Sequence, residues 1–314
     1  MDLTRRRFIP GAKSPGKDLN GAVDFAMAAP SPRNIQPWAF AFSGADDVDL
    51  IFDQERARPV ADPFNRELVI SCGVALGYAR LWLQSSGIDH RVTLFPRDYD
   101  LYTLARISIT GHTNRPDKAA SAEVAVAEKR HTNWGPFAQD GLSDEEAVEL
   151  CTAATAWGTL MTRVPMSQHE AIARLITQVD QRQYNDPAFR DELRQWGTGR
   201  PVALGSVVPW VNEMRGPDLA GTLFVLTTVS DTDEDWLVAG QALARVLLRA
   251  TRMGFDATFM NQALQVTGSR ATVATAIGNG RWPQQLIRFG HALHPAKPTK
   301  RRPSAAARVP WDPF

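Results

Sequence analysis

The sequence predicts an α+β protein made of two tandem copies of one αβ unit, each running helix, two strands, helix, two strands. Segments with apolar residues at helical spacing alternate with short runs typical of strands. The same order of elements returns after a polar stretch at residues 112–120. The chain has 314 residues, 44% of them hydrophobic, which is enough for a large core.

The first copy opens with an amphipathic helix that Pro30 ends, because the residue before a proline avoids the helical region. Asn65 is the predicted cap of a long helix rich in Leu, Val and Ala. The predicted elements are a helix at 18–29, strands at 39–43 and 48–52, a helix at 65–85, and strands at 91–95 and 104–110.

The second copy opens at Ser143-Asp144-Glu145-Glu146, a sequence typical of a capping box. The predicted elements are a helix at 143–156, strands at 159–164 and 222–229, a helix at 233–253, and strands at 256–260 and 285–289. We therefore expect a first half at residues 1–115 and a second half at residues 116–314.

An insertion at about residues 165–217 separates the first two strands of the second copy. Ser167 and Glu170 predict another capped helix, which residues 190–199 continue. The segment at 199–217 is rich in Gly and Pro and contains Trp210. Such a long loop is either a lid over a site or an ordinary surface connection, and both readings stay open.

Beyond His294 the chain is basic and rich in proline, so it offers little to a core. This end is an arm across the surface or a disordered tail.

Composition excludes several classes of function. The formal net charge of +1 argues against a general nucleic-acid binder. Cys72 and Cys151 are too few for a disulfide framework, which indicates a reducing compartment. Residues 4–9 resemble a twin-arginine export signal, but prolines and charges interrupt the apolar run that should follow. No apolar stretch approaches the roughly 18 residues of a membrane span, so we expect a cytoplasmic protein without a membrane partner.

Common catalytic motifs are missing from the sequence. It has no dinucleotide-binding fingerprint, no phosphate loop and no nucleophile elbow. His291 and His294 have ligand-like spacing but lack carboxylate or thiolate neighbours, so we predict no metal site.

The most informative segment is Ala-Pro-Ser-Pro-Arg-Asn-Ile-Gln-Pro-Trp at residues 29–38, between a helix and a strand. Ser31, Asn34 and Gln36 carry hydroxyl and amide groups, which donate and accept hydrogen bonds without charge. They suit the edge of a heteroaromatic ring. A plain turn is the alternative, and the residues alone do not decide between the two.

This segment resembles the signature of FMN-dependent nitroreductases, and so do Gly254-Phe255, Ser269-Arg270 and residues 280–290. In that family the signature contacts a flavin held mainly by the other subunit. More narrowly, the chain resembles the single-chain, duplicated Acg-type proteins of the family. The segments that carry this closer likeness are Asp53, residues 66–73 and residues 130–133.

The resemblance implies one FMN site between two halves that imitate a dimer, and hence a monomeric pseudo-dimer. The residues implied to hold the cofactor are Pro30, Ser31, Asn34, Gln36, Arg130, Thr132, Met260, Asn261, Arg301 and Arg302. The alignment at Met260 and Asn261 is loose, and strand-end packing is the alternative for both.

Charge chemistry agrees with a phosphate site, because arginine binds phosphate through two parallel hydrogen bonds. The basic residues at 129–131 and 300–302 would otherwise be solvated charge clusters. One departure weakens the match: Trp134 stands where the family pattern has a second arginine.

Three functions follow from the resemblance. The first is a reductase in which FMN accepts a hydride from NAD(P)H and reduces a small molecule such as a nitroaromatic, quinone or enone. No catalytic side chain is then required. The second is an FMN-binding or storage protein whose lid covers the flavin. The third, prompted by Trp134, is a protein that has lost flavin.

Overall fold

The computed structural model describes residues 16–97, 100, 102–113, 115–155, 158–196, 220–296 and 298–311. The arginine-rich segment at 4–9 and the Gly- and Pro-rich loop at 199–217 lie outside these described residues. Within them the helices are α1 (Lys17–Ala26), α2 (Arg66–Ser85), α3 (Lys118–Val124), α4 (Asp144–Ala154), α5 (Met166–Asn185), α6 (Pro187–Gln195), α7 (Asp233–Arg252), α8 (Gln262–Gln265) and α9 (Thr267–Ile277).

The predicted strands are all present, with ends shifted by no more than three residues. They are β1 (Trp38–Phe42), β2 (Asp47–Phe52), β3 (Ile88–Leu94), β4 (Thr103–His112), β5 (Leu160–Arg163), β6 (Thr222–Thr228), β7 (Asp256–Phe259) and β8 (Trp282–Gly290). One four-stranded sheet has the order β1-β2-β4-β3 and the other has β5-β6-β8-β7. Every pair is antiparallel in both sheets. The α+β class is confirmed, and this shared topology is what two copies of one unit would produce.

Helices α2 and α7, one from each of the two predicted halves, cross very closely. A Cβ on Gly73 would lie 2.2 Å from the carbonyl oxygen of Leu237, and one on Gly240 would lie 2.1 Å from that of Ile70. Each glycine is the eighth residue of a helix of 20 residues. By length and composition α2 passes as a membrane span, but 78% of its most apolar window is buried inside the fold. The apolar run of α2 therefore belongs to the common core.

The helix ends show where the sequence prediction was right and wrong. The capping box is confirmed, since Ser143 Oγ accepts from the Glu146 amide at 3.3 Å and the Glu146 carboxylate accepts from the Ser143 amide at 2.8 Å. Asn65 occupies the cap position of α2 without a side-chain capping bond. The carboxylate of Asp62 accepts from the Leu68 amide at 2.9 Å instead.

The insertion begins differently from the prediction. Helix α5 starts at Met166 after Pro165, so Ser167 lies inside the helix and does not cap it. Residues 190–195 do not continue this helix but belong to α6, which starts at Pro187. Because proline at a first helical position has no amide hydrogen to lose, it favours a new helix there.

Three helices were not predicted at all. Helix α3 lies in the stretch interpreted as polar, and Asp117 caps it by accepting from the amides of Ala119 and Ala120. Helices α8 and α9 follow β7; α8 has only four residues, and α9 carries Gly and several Thr, residues of low helix propensity. Tertiary packing rather than propensity stabilises such short helices.

Candidate functional site

The signature loop, residues 31–37 between α1 and β1, has an unusual backbone. Arg33, Asn34 and Gln36 have φ angles of 53°, 56° and 50°, in the left-handed region that non-glycine residues seldom adopt. The Gln36 amide donates to Ser31 Oγ at 2.8 Å, and Gln36 Nε2 donates to the Asn34 carbonyl at 3.3 Å. Such conformations persist only where the surroundings enforce them, and they cluster at functional sites.

The C-terminal arm, described here for residues 298–311, runs directly against this loop. Asn34 Nδ2 donates to the Lys300 carbonyl at 2.7 Å, and Asn34 Oδ1 accepts from Arg301 Nη1 at 2.6 Å. Gln36 Oε1 accepts from the Arg302 amide at 2.8 Å. Two predicted residues of the loop, Asn34 and Gln36, therefore contact two predicted residues of the arm, Arg301 and Arg302. The two pairs are more than 260 positions apart in the chain.

Two like charges lie near each other at this place, one on the buried Arg130 and one on the half-buried Arg301. Burial lowers the pKa of Arg301 to about 10, and the neighbouring Arg130 acts in the same direction. Arg130 is 4% exposed, and its Nε makes no hydrogen bond with any described residue. The buried Tyr78 lies beside both guanidinium groups, which oppose the rise of its pKa that burial causes.

The Arg130–Arg301 pair has the electrostatics of an anion site. Among the described residues, no carboxylate forms an ion pair with either arginine. His131 next to Arg130 has a pKa lowered by burial and then by both arginines. Buried charges are costly unless they are paired, so an anion bound between the two guanidinium groups would relieve their repulsion.

Arg302 has a different environment from Arg301. Its Nη2 donates to the Trp38 carbonyl at 2.7 Å, and its Nη1 lies 3.6 Å from Asp53 Oδ2. The sequence resemblance assigned both arginines of the arm to phosphate. In the structure Arg302 shares Asp53 with Arg56, whose Nε lies 3.1 Å from the same carboxylate oxygen, and its bond to Trp38 holds the arm at the start of β1. The Nε of Arg302 is buried and makes no hydrogen bond with a described residue.

Thr132 follows Arg130 by two residues in a segment that runs beside β7. It forms a parallel bridge with Ala257, and the next residue, Asn133, donates its amide to the Ala257 carbonyl at 2.9 Å. Asn133 Nδ2 also donates to the His294 carbonyl at 2.8 Å. The segment is thus fixed between β7 and the start of the arm.

A shallow pocket lies beside this segment. Its volume of about 160 Å³ is below the roughly 300 Å³ at which ligand pockets begin. Its lining residues are Lys129, His131, Thr251, Gly254, Phe255 and Asp256. A flavin needs more space than this pocket offers.

Met260 and Asn261 lie at the far end of β7. The Met260 side chain is 1% exposed and packs in a core cluster with Ile172 and Ile176 of α5. Asn261 donates to Gln285 Oε1 at 2.6 Å and accepts from the Leu286 amide at 2.9 Å. No hydrogen bond between described residues joins either one to the signature loop. Pro30 is buried where that loop begins.

The insertion reaches the signature loop and the first half. Asp180 of α5 lies near Arg33, whose charge opposes a rise in the Asp180 pKa. Burial nevertheless raises that pKa to about 7, and Asp180 Oδ2 is buried without a hydrogen bond to a described residue. On α6, the Glu192 carboxylate accepts from the amides of Val60 and Ala61, each at 2.9 Å.

Sequence reasoning missed Tyr78, Asp180 and Glu192. One signal was available for Asp180, which follows Ile176 by four residues and so shares the apolar face of α5. A carboxylate on the apolar face of a helix is unusual and indicates a buried polar contact or a site. Tyr78 is hidden in an apolar helix, and Glu192 looks like one more charge on a charged helix.

No protein-family model matches the chain. It is 29% identical to the "Putative NAD(P)H nitroreductase Rv3131" of Mycobacterium tuberculosis, over 89% of this chain and 88% of that protein. It is 28% identical to the "Putative NAD(P)H nitroreductase acg" of the same organism, over 91% and 93%. A nitroreductase from Desulfitobacterium hafniense, solved with bound FMN, aligns with a TM-score of 0.40 and 14% identity, covering 57% of this chain and 93% of that chain.

The two mycobacterial relatives therefore match about nine tenths of this chain. This similarity to proteins named as NAD(P)H nitroreductases supports the nitroreductase superfamily for the chain.

Proposed function

We propose that this protein binds one FMN between its two halves and acts as an NAD(P)H oxidoreductase on small molecules such as nitroaromatics, quinones or enones. The proposal is carried by the buried Arg130 and the half-buried Arg301, which have no carboxylate partner among the described residues and match the dianionic phosphate of FMN. The two relatives named as NAD(P)H nitroreductases support the reaction class. Free Cys72 and Cys151 agree with a reducing cytoplasm.

The residues present fit FMN in two ways. The buried Nε of Arg130 lacks a partner among the described residues and is a donor waiting for an acceptor. Arg301 supplies the second cation where Trp134 replaces the family's arginine, so a phosphate would still meet two guanidinium groups. Thr132 adds a hydroxyl donor two residues from Arg130.

The protein's own groups would bind and orient the cofactor. Arg130, Arg301 and Thr132 would hold its phosphate, while Ser31 and the loop amides would face its ring. FMN, when bound, supplies hydride transfer from NAD(P)H to the acceptor. The left-handed backbone of the loop sets its amide groups before any ligand arrives, which lowers the cost of binding.

The first test is the visible spectrum of the purified protein, followed by NADPH without oxygen. We expect a flavin spectrum that bleaches within seconds. A flavin spectrum that stays oxidised would reject the reductase and favour storage. A protein that gains no absorbance with added FMN would reject both.

Arg130→Gln and Arg301→Gln test the phosphate site. Each should weaken FMN binding by about tenfold or more, because a hydrogen bond to a charged group contributes roughly 1.5–3 kcal/mol. Fluorescence titration of the apoprotein measures the affinity. The matched control is Lys300→Gln, which removes the same charge from an exposed side chain in the same arm. Equal losses in all three variants would contradict a specific phosphate site.

Storage is the second candidate, and the position of the insertion favours it. Asp180 of α5 lies near the signature loop, and Glu192 ties α6 to the first half. An insertion held in this way would limit access of NAD(P)H to a flavin behind it.

A further inference from the structure

The far end of the C-terminal arm is fastened to the first half, well away from Arg301. Beyond a 3-10 turn at residues 304–307, Arg308 forms a parallel bridge with Phe40, and the Val309 amide donates to the Phe40 carbonyl at 3.0 Å. The arm thus extends the first sheet along its edge strand β1, whose other side is paired with β2.

The last described residue of the arm, Trp311, contacts a buried carboxylate. Its Nε1 donates to Asp49 Oδ2 at 3.0 Å. Asp49 is 0% exposed and also accepts from Arg106 Nε at 2.6 Å and from Arg97 Nη2 at 2.9 Å. The Arg97 guanidinium in turn lies 5.4 Å from the centre of the Trp311 ring. Asp49 therefore organises the site that receives the indole.

We propose that Asp49 and Trp311 form a latch that positions Arg301 and so sets the preference of the flavin site for a phosphorylated flavin. The inference rests on the proposed function and deepens it. Neither residue touches the Arg130–Arg301 pair in the structure, so both are positioning residues.

The latch adds a bond to a buried charge to the other contacts of the arm's far end, which are the buried Ala307, the packing of Val309 in an apolar cluster and the Arg308–Asp24 ion pair at 3.3 Å. Ordering each residue of an extended segment costs conformational entropy, which local contacts must offset. Near the site the arm is held by the hydrogen bonds of Asn34 and Gln36 and by the contacts of Arg302. At the other end, the buried charged acceptor Asp49 gives a stronger bond than a neutral group would. Releasing this end frees the segment that presents Arg301 to the phosphate.

Trp311→Phe is the sharpest variant. It removes the indole donor but keeps an aromatic ring over Arg97. Asp49→Asn is the second variant, and its thermal melt is measured beside that of the wild type. The matched control is Trp282→Phe, because Trp282 also lies under a guanidinium, that of Arg270, but belongs to the second half.

The measurement is the affinity of the full-length apoprotein for FMN and for riboflavin, which lacks the phosphate. We expect Trp311→Phe and Asp49→Asn to lose about tenfold in FMN affinity, with riboflavin affinity unchanged and Trp282→Phe like the wild type. An unchanged FMN preference in both latch variants, or equal losses for both flavins, would overturn the latch. A wild type that binds FMN no better than riboflavin would overturn the phosphate site itself.

Discussion

Burial makes ionisation costly for single side chains near the candidate site. Asp180 is the clearest case, because its pKa is raised to about 7 by burial although Arg33 is near. The carboxyl is protonated in the folded protein at a pH at which the unfolded chain has already lost its proton. Its ionisation therefore destabilises the fold progressively as pH rises from about 4 to about 7.

Asp180→Asn should remove this dependence on pH. We expect the variant to be more stable than the wild type above pH 7, by an amount of the order of 1 kcal/mol. The difference should disappear below pH 4, where both side chains are neutral. Urea denaturation at several pH values measures it. A wild-type advantage at pH 8 would show instead that the attraction between Asp180 and Arg33 outweighs the cost of burial.

Some residue roles were readable from the sequence and others were not. The clustering of Ser31, Asn34 and Gln36 pointed to a site through the resemblance, and the structure brings Asn34 and Gln36 to the arm. The different environments of Arg301 and Arg302 were not readable. Adjacent residues on an extended segment point in opposite directions, and only the folded neighbours decide which one meets a carboxylate.

At the scale of elements, Glu192 attaches helix α6 of the insertion to the first half. Glu192 is 7% exposed, and its two oxygens accept from two successive backbone amides. Around it, Phe189 and Leu193 pack against Ala61. Because only an ionised carboxylate offers an acceptor to both amides, the docking depends on the charge as well as on the apolar contact.

Glu192→Gln should loosen α6 from the first half. The glutamine NH₂ would face an amide hydrogen, which leaves a buried donor unsatisfied and costs about 1–3 kcal/mol. Hydrogen exchange should rise at residues 187–195, with α2 and α7 protected as before. Glu170→Gln, an exposed change on α5, is the control. If storage is the function, the same variant should speed bleaching of the flavin by NADPH. Unchanged exchange in α6 would reject this role for Glu192.

The strands were more predictable than the helix ends. Strand runs such as those of β1 and β6 are fully buried and strongly apolar, so their residues specify them locally. The failed caps at Asn65 and Ser167 have a different cause. A cap needs a side chain aimed at particular backbone amides, and in α2 the chain folds so that Asp62 fills that role.

At the scale of the whole molecule, the two halves meet through the backbones of α2 and α7. Gly73 and Gly240 allow this approach, since a side chain at either position would overlap a carbonyl of the other helix. Each of these glycines is the eighth residue of its helix. The backbones of α2 and α7 are therefore in direct contact at their crossing.

Gly240→Ala should destabilise the whole protein. Its Cβ would lie 2.1 Å from the backbone oxygen of Ile70, which cannot move like a flexible side chain. We expect a loss of more than about 3 kcal/mol, at the upper end for overpacking, in a single transition that includes both halves. The control is Gly268→Ala in α9, where nothing lies within 4 Å and a small gain is expected. Separate unfolding of the two halves would contradict a shared core.

The sequence by itself determined the α+β class, the order of the strands and of helices α1, α2, α4 and α7, and the segment that forms the signature loop. These features follow from local pattern, from apolar spacing and from residues that end helices. Tertiary structure alone decided that Asp53 lies beside Arg302 and that Trp311 reaches Asp49. Each of these contacts joins residues far apart in the chain. The electrostatic interaction between such groups becomes strong only when folding removes the water between them.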